Sequence, residues 1–121
     1  MSKTHSTPKS FYYAFEGLNK AIKDEPNLRI HFIFGIAAIL TGLLLKLSTS
    51  EFAILLLTIG LVITLELINT MLEALVDLVS PEIKSAAKKA KDVSAAAVLV
   101  SALFSLLVGG LLFLPKIKLL L

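Results

Sequence analysis

The chain contains no cysteine, which excludes disulfides, thiolate metal ligands and a cysteine nucleophile. Its only histidines, His5 and His31, are too few and too widely separated for a metal cluster. The sequence lacks a G-x-x-x-x-G-K-[ST] phosphate loop, a kinase-type glycine-rich loop, an H-E-x-x-H pair and a G-x-S-x-G elbow, so any nucleotide site must be unconventional. No aromatic-rich basic groove is present, and nucleic acid is not expected as a partner. There is no internal repeat. No small-residue cleavage site is found at the first apolar run, so a removable signal peptide is not expected.

What is abundant is apolar residue. Of 121 residues, 56% are hydrophobic and the mean hydropathy is +0.86, against the roughly 45–50% apolar share of an ordinary soluble domain. Residues 30–47, 52–72 and 93–114 are each close to the roughly 20 residues needed to cross a bilayer. The expected fold is therefore an all-α membrane protein with three transmembrane spans in one domain, residues 1–121. Residues 1–10 are polar and without period, and are expected to be a mobile tail. In residues 11–24, Phe11, Phe15, Leu18 and Ile22 recur at helical spacing, as in an amphipathic helix lying on a membrane surface or packed on the bundle. Pro26 then redirects the chain and leaves Glu25 at a corner.

Charge sets orientation. Lys3, Lys9, Lys20, Lys23 and Arg29 precede the first span, and Lys84, Lys88, Lys89 and Lys91 lie between the second and third, while the turn at residues 46–51 holds only Lys46. The N-terminus and the second loop should be cytoplasmic. Lys116 and Lys118 then fall on the outside, against the trend. Ser48 and its neighbours can cap the second span, and Gly109 with Gly110 suggests close helix contact in the third.

The second span ends in ELINTMLEALVD, residues 66–77. At about 100° per residue, Glu66, Asn69, Glu73 and Asp77 fall within an arc of roughly 80°. A charge at a helix centre costs about 2.5–3.5 kcal/mol on insertion scales, so such residues face a partner or a wet cavity. Solvation at the helix end suffices for Asp77 and competes for Glu73. Glu66 lies about two turns deeper, where burial suits a general base. Two carboxylates near the interface, Glu25 and Glu73, could hold a hard divalent cation such as Mg²⁺. The lysines at 84–91 read as a positive-inside signal and also favour a polyphosphate. His31 reads as an interfacial polar residue and a candidate substrate contact.

The segments EPNLRIH (25–31), ELINTMLEALVDLVSPE (66–82) and AKDVSAAAVL (90–99) resemble, in order and spacing, the small prokaryotic diacylglycerol kinase and undecaprenol kinase family. The likeness spans about residues 11–115. It implies an ATP- and Mg²⁺-dependent lipid kinase, a homotrimer of three-span subunits with a surface helix, seated in the bacterial cytoplasmic membrane with its active sites between subunits on the cytoplasmic side. It also implies that Glu66 deprotonates the lipid hydroxyl, that Asn69 helps position that region, and that Glu25 and Glu73 hold Mg²⁺ on the ATP phosphates. Tyr13, Asp77, Glu82, Lys84, Lys91 and Asp92 would line the ATP pocket, and Asn27, Arg29 and His31 would lie near the lipid headgroup. Lys84, Ile83 and Ser6 stand where family members often carry histidine, an aromatic residue and arginine; Met71 and Ala95 depart similarly near the lipid site. The acceptor is expected to be undecaprenol or diacylglycerol. From another class, the same acidic face suits a small oligomeric channel or scaffold in which Glu66 and Asn69 bond between helices.

Overall fold

A computed structural model describes residues 6–82 and 84–121; His5, Lys3 and Ile83 lie outside the described residues. Four helices follow in order: α1, Thr7–Asp24; α2, Pro26–Leu44; α3, Thr49–Val79; and α4, Ser85–Leu120. The helices α2, α3 and α4 are each long and apolar enough to cross a membrane. The protein is an all-helical integral membrane protein. At about 1.5 Å per residue, α3 and α4 reach about 46 Å and 54 Å, well beyond a hydrocarbon core of about 30 Å, so both project past the membrane.

Each helix boundary has a local cause. The first turn of α1 takes in residues 7–10, placed by sequence in the tail: Pro8 sits where no amide donor is needed, and the backbone N–H of Ser10 donates to Ser6 O at 3.1 Å. Pro26 starts α2 for the same reason and separates it from α1 at Glu25, whose backbone is extended. At the other end of α2, Leu47 N–H donates to Gly42 O (3.0 Å) and Lys46 N–H to Leu43 O (3.3 Å). Those paired bonds close the helix with Lys46 at φ 58°, in the left-handed region where glycine is usual. Gly42 fits this turn because a Cβ there would stand 2.9 Å from Leu47 Cδ1 and 3.1 Å from Phe52 Cε1. Helix α3 then opens on a complete capping box, with Glu51 N–H donating to Ser48 Oγ (3.2 Å) and Ser48 N–H to Glu51 Oε2 (2.9 Å).

Helix α4 does not stop at Pro115 but continues to Leu120. Proline is tolerated within membrane helices, and the next residue, Lys116, pairs with Glu51 of α3 at 3.4 Å.

Helix α3 is the centre of the arrangement, packed on α4 and on α2, while α1 touches α2. The buried apolar residues are few: Leu28, Leu47, Leu55, Val62 and Val98. Glu66, Asn69 and Ser101 are buried beside them, whereas Phe34, Leu44, Leu57, Leu106 and Leu111 stand exposed. A soluble monomer rarely displays apolar surface on this scale. Lipid or another copy of the chain must cover it.

Candidate active site

The periodicity of α3 brings Glu66, Asn69 and Glu73 to its inner face, toward α2 and α4. These three line a cavity of about 300 Å³ together with Asn27 and His31 of α2 and with Ala95 and Val98 of α4. Glu66 is only 3% exposed. Among the described residues no hydrogen bond to its carboxyl is found, and His31, Glu25 and Glu73 are its electrostatic neighbours. A buried carboxyl without a committed donor is free to accept a proton from a hydroxyl brought into the cavity.

Asn69 is also buried, and its Nδ2 donates to Glu73 Oε1 at 3.2 Å. Among the described residues its Oδ1 has no partner. Buried polar atoms are nearly always satisfied, so this acceptor calls for a donor from outside the chain, such as water or a hydroxyl.

Glu73 belongs to a second cavity as well, of about 410 Å³, which it shares with Glu25, Asp77 and the α1 residues Gly17, Lys20 and Asp24. Glu25 and Glu73 thus face a common space although 48 residues separate them in sequence. Neither carboxylate makes an ion pair among the described residues. Two hard oxygen donors beside open space suit Mg²⁺, which commonly takes one or two protein carboxylates and completes its shell with water and phosphate oxygens. Among the described residues no group of three or more metal-ligating side chains occurs.

Asp77 in turn connects to a third cavity, of about 280 Å³, lined by Glu82, Lys88, Lys91 and Asp92 across the junction of α3 and α4. Here Lys91 Nζ lies 2.5 Å from Asp77 Oδ1, and Lys88 Nζ 2.5 Å from Asp92 Oδ2. Both pairs are solvent-exposed and therefore weak, so an incoming polyanion can displace them.

Three expected site residues stand outside these cavities. Tyr13 lies one turn before Gly17, Lys20 and Asp24 on the same face of α1, with its ring edge-on to Tyr12 at 5.7 Å. Lys84 is the exposed N-cap of α4. Arg29 turns away from the pocket altogether and donates from Nη1 to Ile22 O (2.9 Å) and Lys23 O (2.7 Å). Sequence reasoning had not placed Lys20 and Asp24 at the acidic cavity. Their signal was the i, i+4, i+7, i+11 spacing of 13, 17, 20 and 24.

A fourth cavity, of about 370 Å³, is apolar and runs between α2, α3 and α4 from His31 past Phe34 and Val62 to Phe113. Gly109 and Gly110 line it, and a Cβ on either would meet only its own helix, at 3.9 Å. The close helix contact expected there occurs instead at Gly35, where a Cβ would stand 2.9 Å from Ile59 Cγ2. His31 thus borders both the polar and the apolar cavity.

A family model for prokaryotic diacylglycerol kinase matches residues 12–113. The chain is 45% identical over 109 residues to a diacylglycerol kinase of Synechocystis sp., covering 89% of this chain and 62% of that protein. It is 40% identical over 109 residues to an undecaprenol kinase of Bacillus subtilis, covering 90% of this chain and 89% of that protein. A diacylglycerol kinase of Helicobacter pylori is 33% identical over 102 residues, 84% of this chain and 80% of its own. By sequence, then, and with three helices fit to span a membrane, the chain belongs to the prokaryotic diacylglycerol kinase family.

Proposed function

We propose that the protein is a membrane lipid kinase, which transfers the γ-phosphate of ATP to the hydroxyl of a lipid alcohol, undecaprenol or diacylglycerol. One observation carries this reading: Glu66 lines a cavity that is joined through Glu73 to a two-carboxylate space and through His31 to an apolar one. An amphiphile fits that layout, with its hydroxyl beside Glu66 and its hydrocarbon chain in the apolar cavity. A phosphate donor fits the other side.

The chemistry needs alignment and charge neutralisation more than covalent help. Glu66 accepts the proton of the lipid hydroxyl as that oxygen bonds to the γ-phosphorus. The bond from the γ-phosphorus to the bridging oxygen breaks, and ADP leaves with the electron pair. Asn69 holds Glu73 through Nδ2 and offers Oδ1 to a hydroxyl or water in the same cavity. Glu25 and Glu73 would hold Mg²⁺, which when bound offsets phosphate charge. Lys91 exchanges Asp77 for a phosphate oxygen, with Asp77, Glu82 and Asp92 at the rim, and Tyr13 and Lys84 flank the nucleotide. Asn27 and His31 border the headgroup.

The lysine distribution supports a cytoplasmic-facing site in the bacterial inner membrane. A homotrimer, the assembly the family resemblance implies, would let neighbouring chains close the cavities. Cross-linking in detergent, read as the largest covalent species, tests that number.

Phosphate transfer from labelled ATP to each lipid in micelles tests the activity. Transfer to undecaprenol or diacylglycerol is expected, and Glu66→Gln should abolish turnover while leaving the oligomer intact. No transfer to any lipid alcohol would overturn the reading.

A further inference from the structure

Helix α1 ends where its carbonyls lose their donors. In a continuing helix, Ile22 O would accept the N–H of residue 26 and Lys23 O that of residue 27. Residue 26 is proline, without an N–H, and the chain turns at Glu25 (φ −112°, ψ 102°). Only Ala21 O is served by the backbone, by Glu25 N–H at 2.9 Å. The two orphaned carbonyls are instead taken by one side chain from the next helix: Arg29 Nη1 reaches Ile22 O at 2.9 Å and Lys23 O at 2.7 Å. A cation at a helix C-terminus is also favoured by the helix dipole, and hydrogen bonds with a charged donor are the stronger kind.

Two features make this clasp more than a cap. Arg29 sits one turn after Glu25 on α2, where its backbone N–H makes the ordinary first-turn bond to Glu25 O at 3.3 Å, so its side chain reaches back across the corner from a fixed base. Glu25 is the hinge between α1 and α2, and it must face Glu73 across the acidic cavity. Arg29 makes no ion pair among the described residues; its contacts are spent on the corner.

The geometry points to Arg29 as the positioning residue that fixes the α1–α2 corner and so holds Glu25 opposite Glu73. It acts through Glu25 and sets the apparent affinity for the metal-bound nucleotide, not for the lipid. This inference rests on the proposed phosphotransfer function for its kinetic consequence, whereas the clasp itself stands apart from it. Lysine keeps the charge at this position but replaces the planar fork with a single compact ammonium.

The experiment uses the full-length protein in micelles with Arg29→Gln and Arg29→Lys. The inference expects KM for Mg-ATP to rise about tenfold or more in Arg29→Gln, with KM for the lipid within about twofold of wild type, and to be partly restored in Arg29→Lys; tenfold corresponds to about 1.4 kcal/mol. A rise confined to the lipid KM would make Arg29 a headgroup contact and overturn the clasp while leaving the kinase reading intact. The second readout needs no activity. Because the chain has no cysteine, nitroxide labels can be placed at Glu16→Cys on α1 and Leu78→Cys on α3, with labelled chain diluted into unlabelled. Arg29→Gln should broaden the distance distribution between them, and an unchanged distribution would overturn the clasp. If wild-type protein transfers no phosphate while Arg29→Gln still broadens the distribution, the kinase reading alone fails.

Discussion

Asn69 donates from Nδ2 to Glu73 at 3.2 Å while its buried Oδ1 finds no donor among the described residues, and these two facts pull in opposite directions when the side chain is removed. Losing a hydrogen bond to a charged group costs about 1.5–3 kcal/mol, and removing an unsatisfied buried acceptor returns about 1–3 kcal/mol. Asn69→Ala should therefore change folding stability by less than about 1 kcal/mol, an unusually small effect for a residue only 8% exposed. Turnover should behave otherwise. Without Nδ2, Glu73 loses its anchor, and a misplacement of about 1 Å in a reacting constellation can cost on the order of 10² in rate. The assay pairs equilibrium unfolding in mixed micelles with phosphate transfer from labelled ATP. A loss of stability above about 2 kcal/mol, or activity within about threefold of wild type, would show that Asn69 is a structural hydrogen-bonding residue and refute the reasoning.

Removing divalent metal with a chelator should abolish transfer, with full recovery on adding Mg²⁺, and Glu25→Gln and Glu73→Gln should each raise the Mg²⁺ concentration for half-maximal activity by about tenfold or more; equal response of the two glutamine variants and wild type to titrated Mg²⁺ would contradict shared ligation. Lys46→Gly should stabilise the protein by about 0.5–1 kcal/mol in the same unfolding assay, because glycine adopts the left-handed backbone at φ 58° without the Cβ penalty. At the opposite end of the membrane from the acidic cavities, Lys116→Met should leave KM for both substrates unchanged and barely alter stability in the unfolding assay, since the Lys116–Glu51 pair is partly exposed and 3.4 Å long. A kinetic change there would mean that α4 transmits strain along its length.

Helix number and the acidic face were readable because each depends on a short-range rule. Apolar run length gives the spans, and the 3.6-residue period puts Glu66, Asn69 and Glu73 on one face whatever they contact. The meeting of Glu25 with Glu73 was of another kind. Residue types made a divalent site plausible, but the encounter depends on the angle at the α1–α2 corner, which no local pattern encodes. Gly109 and Gly110 teach a related lesson. A Gly-Gly pair in an apolar helix permits close approach without requiring it, and here the partner wall stands back and leaves a cavity. The glycines that do meet a neighbour, Gly35 and Gly42, owe it to Ile59 on α3 and to Leu47 and Phe52 at the turn. Helix ends drifted for local reasons too, with α1 beginning at Thr7 and α4 running beyond Pro115.

The distribution of burial ties the site to the membrane. In a soluble domain the deepest positions go to apolar side chains, but here, among the described residues, Glu66, Asn69 and Ser101 share them with five hydrophobic residues. Hydrocarbon solvent accounts for the inversion: lipid tails are as apolar as leucine, so exposed Leu57 or Leu111 costs nothing and no hydrophobic force gathers the spans. A carboxyl obeys the reverse rule, being expensive against lipid and admissible only toward protein or a wet cavity. An acid at this depth therefore constrains the bundle around it. Glu66 must point inward, Gly35 lets α2 approach α3 closely, and α4 supplies Ala95 and Val98 as the small far wall of the cavity. On the function proposed above, an alcohol that is itself dissolved in the membrane would reach Glu66 without leaving lipid, while its phosphate donor would arrive from the polar side along Glu73 and Asp77.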